Sequence, residues 1–396
     1  MYRLTGARRS YDWGSTTAMF EFLGTTPDGV PFAELWLGAH PTGPATTQTR
    51  DGLRHRLDHL IAADTERTLG NHVTSRFGQL PYLVKLLAPA RPLSMQVHPN
   101  RKMASAGYHE EERRGVPLDD PLRSFKDEHN KPEMVYAITH FEGLVGLRDR
   151  DEVLLLLETV AGPLTPAADA LRDEPGEQGL RSALELILGL EIPQLTEVLQ
   201  TARHLSEFHT HHGIQEACST VVELAQLYPK DIGAVVSLML NKVRLQPGQL
   251  VFLADGVPHA YLGGFGLEIM GNSDNVLRLG MTTKHVDVPA TLQALNFNSS
   301  GFSVETAPSD QVTHVFEPPA PEYALSITRA HLAPNETTIL PGRGPRILVG
   351  LSGELTVTTE SNEHQSLSRG QALFIPAEES VISASGCGSL AQAFVP

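Results

Sequence analysis

Cysteine is almost missing from this sequence: across 396 residues there are two, Cys218 and Cys387. Two cysteines cannot build a disulfide framework, so a disulfide-stapled secreted class is excluded and a reducing, cytoplasmic setting is expected. Long apolar runs are missing too. No stretch approaches the ~20 residues a membrane helix needs, so no membrane partner is expected. The Arg8-Arg9 pair runs into Tyr11-Asp12-Trp13-Gly14 rather than an apolar core, so it does not read as an export signal. Positive charge is in short supply, with 31 Lys and Arg against 46 Asp and Glu and a net charge of -15. An acidic surface argues against nucleic acid as a partner. An anionic small substrate would need a local basic pocket. Gly263-Gly264-Phe265-Gly266 lacks the Gly-Lys-Ser/Thr context of a phosphate cradle and reads as a hairpin turn.

The chain is long enough for two or three domains, and its 41% hydrophobic and 19% charged residues are an ordinary globular balance. Residues 33–41 and 80–87 read as strands, and 133–145 holds two more candidates. From about Asp149 to Asn241 the pattern turns helical. Leu180, Ala183, Leu184, Ile187 and Leu188 share one helical face, as do Leu195, Val198, Leu199 and Ala202. Pro163, Pro166, Pro175 and Pro193 cut this stretch into short helices. Strand character returns at Val243, and from Tyr323 to Pro396 the pattern is all-β. A weak repeat relates Gly248-Gln249-Leu250-Val251-Phe252-Leu253-Ala254 to Gly370-Gln371-Ala372-Leu373-Phe374-Ile375-Pro376. The first copy leads to His259 and the second to no histidine. The expected architecture is mainly β: two related barrels with a helical insertion, and a metal in the first barrel alone. The boundaries read as 1–148 and 242–315 for the catalytic domain, 149–241 for the insert, and 316–396 for a metal-free second barrel.

Three segments concentrate possible ligands. In Leu93-Ser94-Met95-Gln96-Val97-His98-Pro99, a strand would send Gln96 and His98 to the same side, so an amide oxygen and an imidazole could reach one ion. Asn130-Lys131-Pro132-Glu133-Met134 offers a carboxylate, and Gly256-Val257-Pro258-His259-Ala260-Tyr261 a second imidazole. Two histidines with oxygen donors suit a divalent first-row metal such as zinc. A second histidine cluster, His204, His209, His211 and His212, has no acidic or cysteine partner at ligand spacing and reads as a solvated helix end.

Taken together, these segments resemble the type I phosphomannose (mannose-6-phosphate) isomerases of the cupin superfamily. The resemblance also runs through Tyr11-Asp12-Trp13-Gly14, Ala33-Glu34-Leu35-Trp36-Leu37-Gly38 and Ser273-Asp274-Asn275-Val276-Leu277-Arg278. It implies cupin-type jelly rolls and one zinc ion per chain on Gln96, His98, Glu133 and His259. It also implies action on a hexose 6-phosphate, with Arg278 as the active-site arginine; a monomer is expected. Ser94, Lys131, Glu268 and Lys284 fall on pocket-lining positions, and Trp13 and Asp274 are expected beside the substrate. The chain departs from the family at His129-Asn130, where Asn-His is usual. Aldose–ketose interconversion moves a proton between C1 and C2 through a cis-enediol, for which Glu268 and Lys284 are the candidate bases. Lys131 and Ser94 are expected at the phosphate. The same chemistry would serve another hexose phosphate, such as glucose 6-phosphate.

Overall fold

A computed structural model describes residues 1–48, 52–298, 302–308, 310–332 and 336–396. Its strands form two antiparallel sheets of ten strands each. The first is built on Glu133–Leu147, which pairs with Leu240–Leu245, Gln249–Leu253 and His259–Gly271. Beyond His259–Gly271 lie Tyr82–Leu87, Glu34–Leu37 and Ala7–Arg9. The short strand Met95–Val97 joins His259–Gly271 to Leu277–Gly280. The second sheet is built on Arg343–Thr359, paired with His364–Ser368, Ala372–Ile375 and Ile382–Val395. Tyr2–Thr5 also belongs to this second sheet, with Tyr2 opposite Phe374.

Period-two alternation explains how the sheets meet. Leu325, Ile327, Ile347, Val349, Ala391 and Ala393 share one core with Tyr82, Val84, Leu86, Leu267 and Ile269 of the first sheet. Each Val, Leu or Ile side chain buried there contributes roughly 1.5–3 kcal/mol. The Tyr82 hydroxyl donates to the carbonyls of Pro345 and Ala393, both at 3.1 Å. Alternate residues turn inward: Leu348, Leu373, Ile375 and Leu390 in the second sheet, Leu87, Val135, Ala137 and Leu253 in the first.

The helical stretch forms as its spacing predicts. Helix Gly176–Leu188 buries Leu180, Ala183, Leu184 and Ile187, and Ile192–Phe208 buries Leu195, Val198 and Ala202. Pro163, Pro166 and Pro193 sit in first turns, where a missing N–H costs nothing. Met95, Val97, Leu277, Leu279 and Met281 join the core of this helical region. Those two strands therefore rest their odd-numbered side on the helices. Gln96 and Arg278 point the other way, and both are half-buried.

Three expectations need correction. The chain is mixed rather than mainly β, with 32% helix and 34% strand. Helices Thr65–Phe77 and Arg101–Arg113 lie outside the expected insert, and Arg101–Arg113 buries only Ala104, so its apolar periodicity is faint. The two strands read in 133–145 are one continuous strand, because both halves pair with His259–Gly271. The Gly263–Gly266 run is not a hairpin turn. It lies inside His259–Gly271 at two register shifts, with Gly264 at φ +123° against the His140 carbonyl.

Candidate metal centre

Antiparallel pairing assembles the site. His259 stands opposite Gln96, and Gln96 stands opposite Arg278. Directly opposed residues share a face, so Arg278, Gln96 and His259 form one row across three strands. Glu133 opens the neighbouring long strand, and His98 follows Met95–Val97.

His98, Glu133 and His259 are all buried, and their ligand atoms lie within 4.8 Å of one another. His98 Nε2 is 3.2 Å from Glu133 Oε1, and His259 Nε2 is 3.2 Å from Glu133 Oε2. Each imidazole is anchored through its other nitrogen: His98 Nδ1 on the Asn275 carbonyl at 2.7 Å, His259 Nδ1 on the Val257 carbonyl at 3.0 Å. These carbonyls take the Nδ1 protons, so both Nε2 lone pairs face the carboxylate. His98 Nε2 has no partner in hydrogen-bond geometry despite complete burial. An orphaned imidazole nitrogen facing a carboxylate and a second imidazole is what a divalent ion's donor set requires, so these residues fit one metal ion. Gln96 completes the cluster, its amide nitrogen 3.2 Å from His259 Nε2. A half-turn of the terminal torsion presents the amide oxygen there instead.

Electrostatics agree with this geometry. Burial favours neutral His98 and, with the Lys131 charge, lowers its pKa to about 4. Burial alone would raise Glu133. The Lys131 ammonium, at 2.8 Å, and His98 outweigh it and hold the carboxyl well below its ordinary range. The Tyr261 hydroxyl donates to Glu133 Oε2 at 3.2 Å.

The expected residues do not all meet at one point. Gln96, His98, Lys131, Glu133 and His259 converge at the centre. Glu268 is buried one register step away, and its Oε2 is 2.9 Å from Lys85 Nζ. Burial raises the Glu268 carboxyl, with Lys85 opposing. Arg278 and Lys284 line a cleft of about 640 Å³ with Arg123, Lys126 and His285. Burial lowers the Lys284 pKa, and the Arg278 charge lowers it further. Ser94 is half-buried just before Met95–Val97. Trp13 stacks on Tyr11 at 5.5 Å and lines a neighbouring cleft of about 500 Å³. Asp274 is exposed, its carboxylate 3.5 Å from His40 Nε2. Asn130 donates to Asp255 at 3.1 Å, which ties down the turn before Lys131. Of the second histidine cluster, His204, His211 and His212 are exposed around a joint between two helices.

The sequence reading missed Lys85, Tyr261 and Asn275 as parts of the site. Lys85 had a signal: it is the one charge in Tyr82–Leu87, a strand buried at every position, and a buried lysine needs a carboxylate.

Comparison with known proteins places the chain. The model of the phosphomannose isomerase type I catalytic domain matches residues 1–150. Mannose-6-phosphate isomerase of Escherichia coli is 36% identical over 397 residues, covering 100% of this chain and 99% of that protein. The Homo sapiens mannose-6-phosphate isomerase is 29% identical, covering 96% and 94%. Among solved structures, a zinc-bound mannose 6-phosphate isomerase superposes with a TM-score of 0.90 at 32% identity, over 100% of this chain and 99% of that one. That identity over the full length of both chains, with the matching fold, shows that this chain belongs to the type I mannose-6-phosphate isomerase family.

Proposed function

We propose that the chain is a zinc-dependent aldose–ketose isomerase that interconverts mannose 6-phosphate and fructose 6-phosphate through a cis-enediol. The observation that carries this reading is the row of Arg278, Gln96 and His259 beside a carboxylate shared by two imidazoles. One zinc ion would be held by Gln96, His98, Glu133 and His259, where it would act as a Lewis acid on the sugar carbonyl.

The chain's own residues do the rest. Glu268 takes the proton from C2 or C1 and returns it to the other carbon. Its raised carboxyl, steadied by Lys85, is tuned toward the range where a general base works. Arg278 and Lys284 take the phosphate, since neither cationic head has a polar partner among the described residues. Lys131 is engaged with Glu133 at 2.8 Å and serves to orient that ligand. Ser94 meets the substrate at the mouth of the centre, and Trp13 forms the wall beyond it.

The reading extends to the fold. Each sheet would form a cupin-type jelly roll, with 149–241 as the insert; the metal-free roll is 316–396 joined by the N-terminal strands Tyr2–Thr5, Thr46–Gln48 and Arg54–Arg56, and the rest of 1–148 with 242–315 is the catalytic domain. Two free cysteines accord with a cytoplasmic setting. The test is conversion of mannose 6-phosphate to fructose 6-phosphate before chelation, after chelation and after zinc add-back. Loss and recovery of turnover is the expected result. Turnover indifferent to chelation would refute the zinc requirement, and turnover of glucose 6-phosphate alone would refute the substrate.

A further inference from the structure

The segment after Leu277–Gly280 carries Lys284 and follows Arg278, and its backbone is held from outside. The anchor is Asp231, which lies in the helical region just before helix Gly233–Val236. Asp231 Oδ1 accepts the N–H groups of Gly233 and Met281, both at 2.7 Å, and Oδ2 accepts that of Thr282 at 3.0 Å. Met281 is a buried non-glycine residue at φ +56°, a conformation that persists only where the surroundings over-determine it. Gly280 and Gly233 touch backbone to backbone: a Cβ on Gly280 would lie 2.6 Å from Gly233 Cα. On the strand's other flank, the Arg278 carbonyl accepts the Thr291 hydroxyl at 3.1 Å.

We infer that Asp231 is a positioning residue, through which the helical insert fixes the turn between strand Leu277–Gly280, which bears Arg278, and the segment that bears Lys284, and so presents both cations to the substrate's phosphate. One carboxylate with three backbone donors both pins the left-handed turn at Met281 and aims the chain leaving it. The helical region thus does more than back the metal-bearing strands; it sets the spacing of the two unpaired cations. This inference rests on the phosphate role given to them above.

The experiment compares the zinc-loaded parent chain with Asp231→Ala and Asp231→Asn. In Asp231→Ala, the Met281 and Thr282 amides should exchange hydrogen faster. KM for mannose 6-phosphate should rise roughly tenfold or more, as expected for losing bonds to a charged acceptor. Competitive inhibition by inorganic phosphate should weaken in parallel, while kcat and zinc content change much less. Asn can still accept with one oxygen, so Asp231→Asn should fall between the two. If Asp231→Ala fails to fold, Asp231→Asn carries the same readouts at smaller amplitude. Unchanged exchange at Met281 and Thr282, or faster exchange with unchanged KM and phosphate inhibition, overturns the inference. A parent chain inactive on every hexose phosphate would instead sink the functional reading, and the exchange and phosphate-binding data would still judge the clamp.

Discussion

The two sheets are wound alike and differ in what they enclose. Each has a long strand, Glu133–Leu147 or Arg343–Thr359, that pairs with the three strands after it. Each has a glycine at positive φ, Gly248 or Gly370, just before the middle strand of those three. In the second sheet a short turn, residues 360–363, connects the long strand to the next. In the first, the whole helical region occupies that place. Pairing puts Leu253 opposite Glu133 and Ile375 opposite Arg346, so Arg346 stands where the metal-facing carboxylate stands. By the same register Gln392 matches Glu268, and Ser326 matches Lys85. All three substitutes are fully buried. The Arg346 guanidinium donates to the carbonyls of Gly342 and Glu379. At this one register position the scaffold thus carries a carboxylate that faces two imidazoles in one copy and an arginine that braces its own backbone in the other.

That contrast can be broken from either side. The largest effect is expected from His259→Ala, which should take zinc from about one ion per chain to near none and reduce turnover by ~10³-fold or more, since the ion's charge stabilisation goes with it. Retention of stoichiometric zinc by elemental analysis would refute the ligand assignment. Next is Arg278→Ala, which should keep metal and fold but lose about 10²–10³-fold in kcat/KM, the cost of one preorganised charge contact. Near-parental kinetics would remove Arg278 from the site. In the second sheet, Arg346→Ala should leave zinc content unchanged and cost about 2–4 kcal/mol in denaturant unfolding, from two uncovered carbonyls and a cavity. A stability loss under about 0.5 kcal/mol, the range of ordinary surface changes, would show that the bracing is slight. The smallest effect is graded with pH. His98 has its pKa lowered from 6.5 to about 4, so the folded state binds fewer protons than the unfolded one between those values. Its contribution is full above 6.5 and is lost as pH falls toward 4, so both stability and zinc retention should decline over that window. A flat profile there in the parent, or the same decline in a His98→Gln chain, would assign the dependence elsewhere.

Much of the centre was legible because its parts are local. Gln96 and His98 are two apart at a strand, and Pro258-His259 opens another, so spacing alone proposes a shared ion. Lys131 was expected at the phosphate, and its ion pair with Glu133 was not legible, because Lys131 lies before the strand that Glu133 opens. The helical insert was legible from the faces of Leu180 to Leu188 and Leu195 to Ala202. Other features lay beyond local pattern. The pairing of Lys85 with Glu268 depends on a register set across 183 residues of chain. Asp231 acts on backbone N–H groups 50 residues away, and backbone donors carry no mark of their partners in the sequence. Helix Arg101–Arg113 hid because a helix lying on the surface with one buried alanine has almost no apolar stripe to find.

The pairing of Tyr2–Thr5 with Ala372–Ile375 has a consequence for the timing of biogenesis. At roughly 5–20 residues per second, the ribosome needs on the order of tens of seconds between making the two strands. For that interval the first strand's edge has no finished partner on this side, and the nascent chain must keep it from pairing with a neighbour's. Arg3 stands on that edge, and the exposed Arg54 and Arg56 lie two strands away; before the last strands arrive, their like charges would oppose pairing between two growing chains.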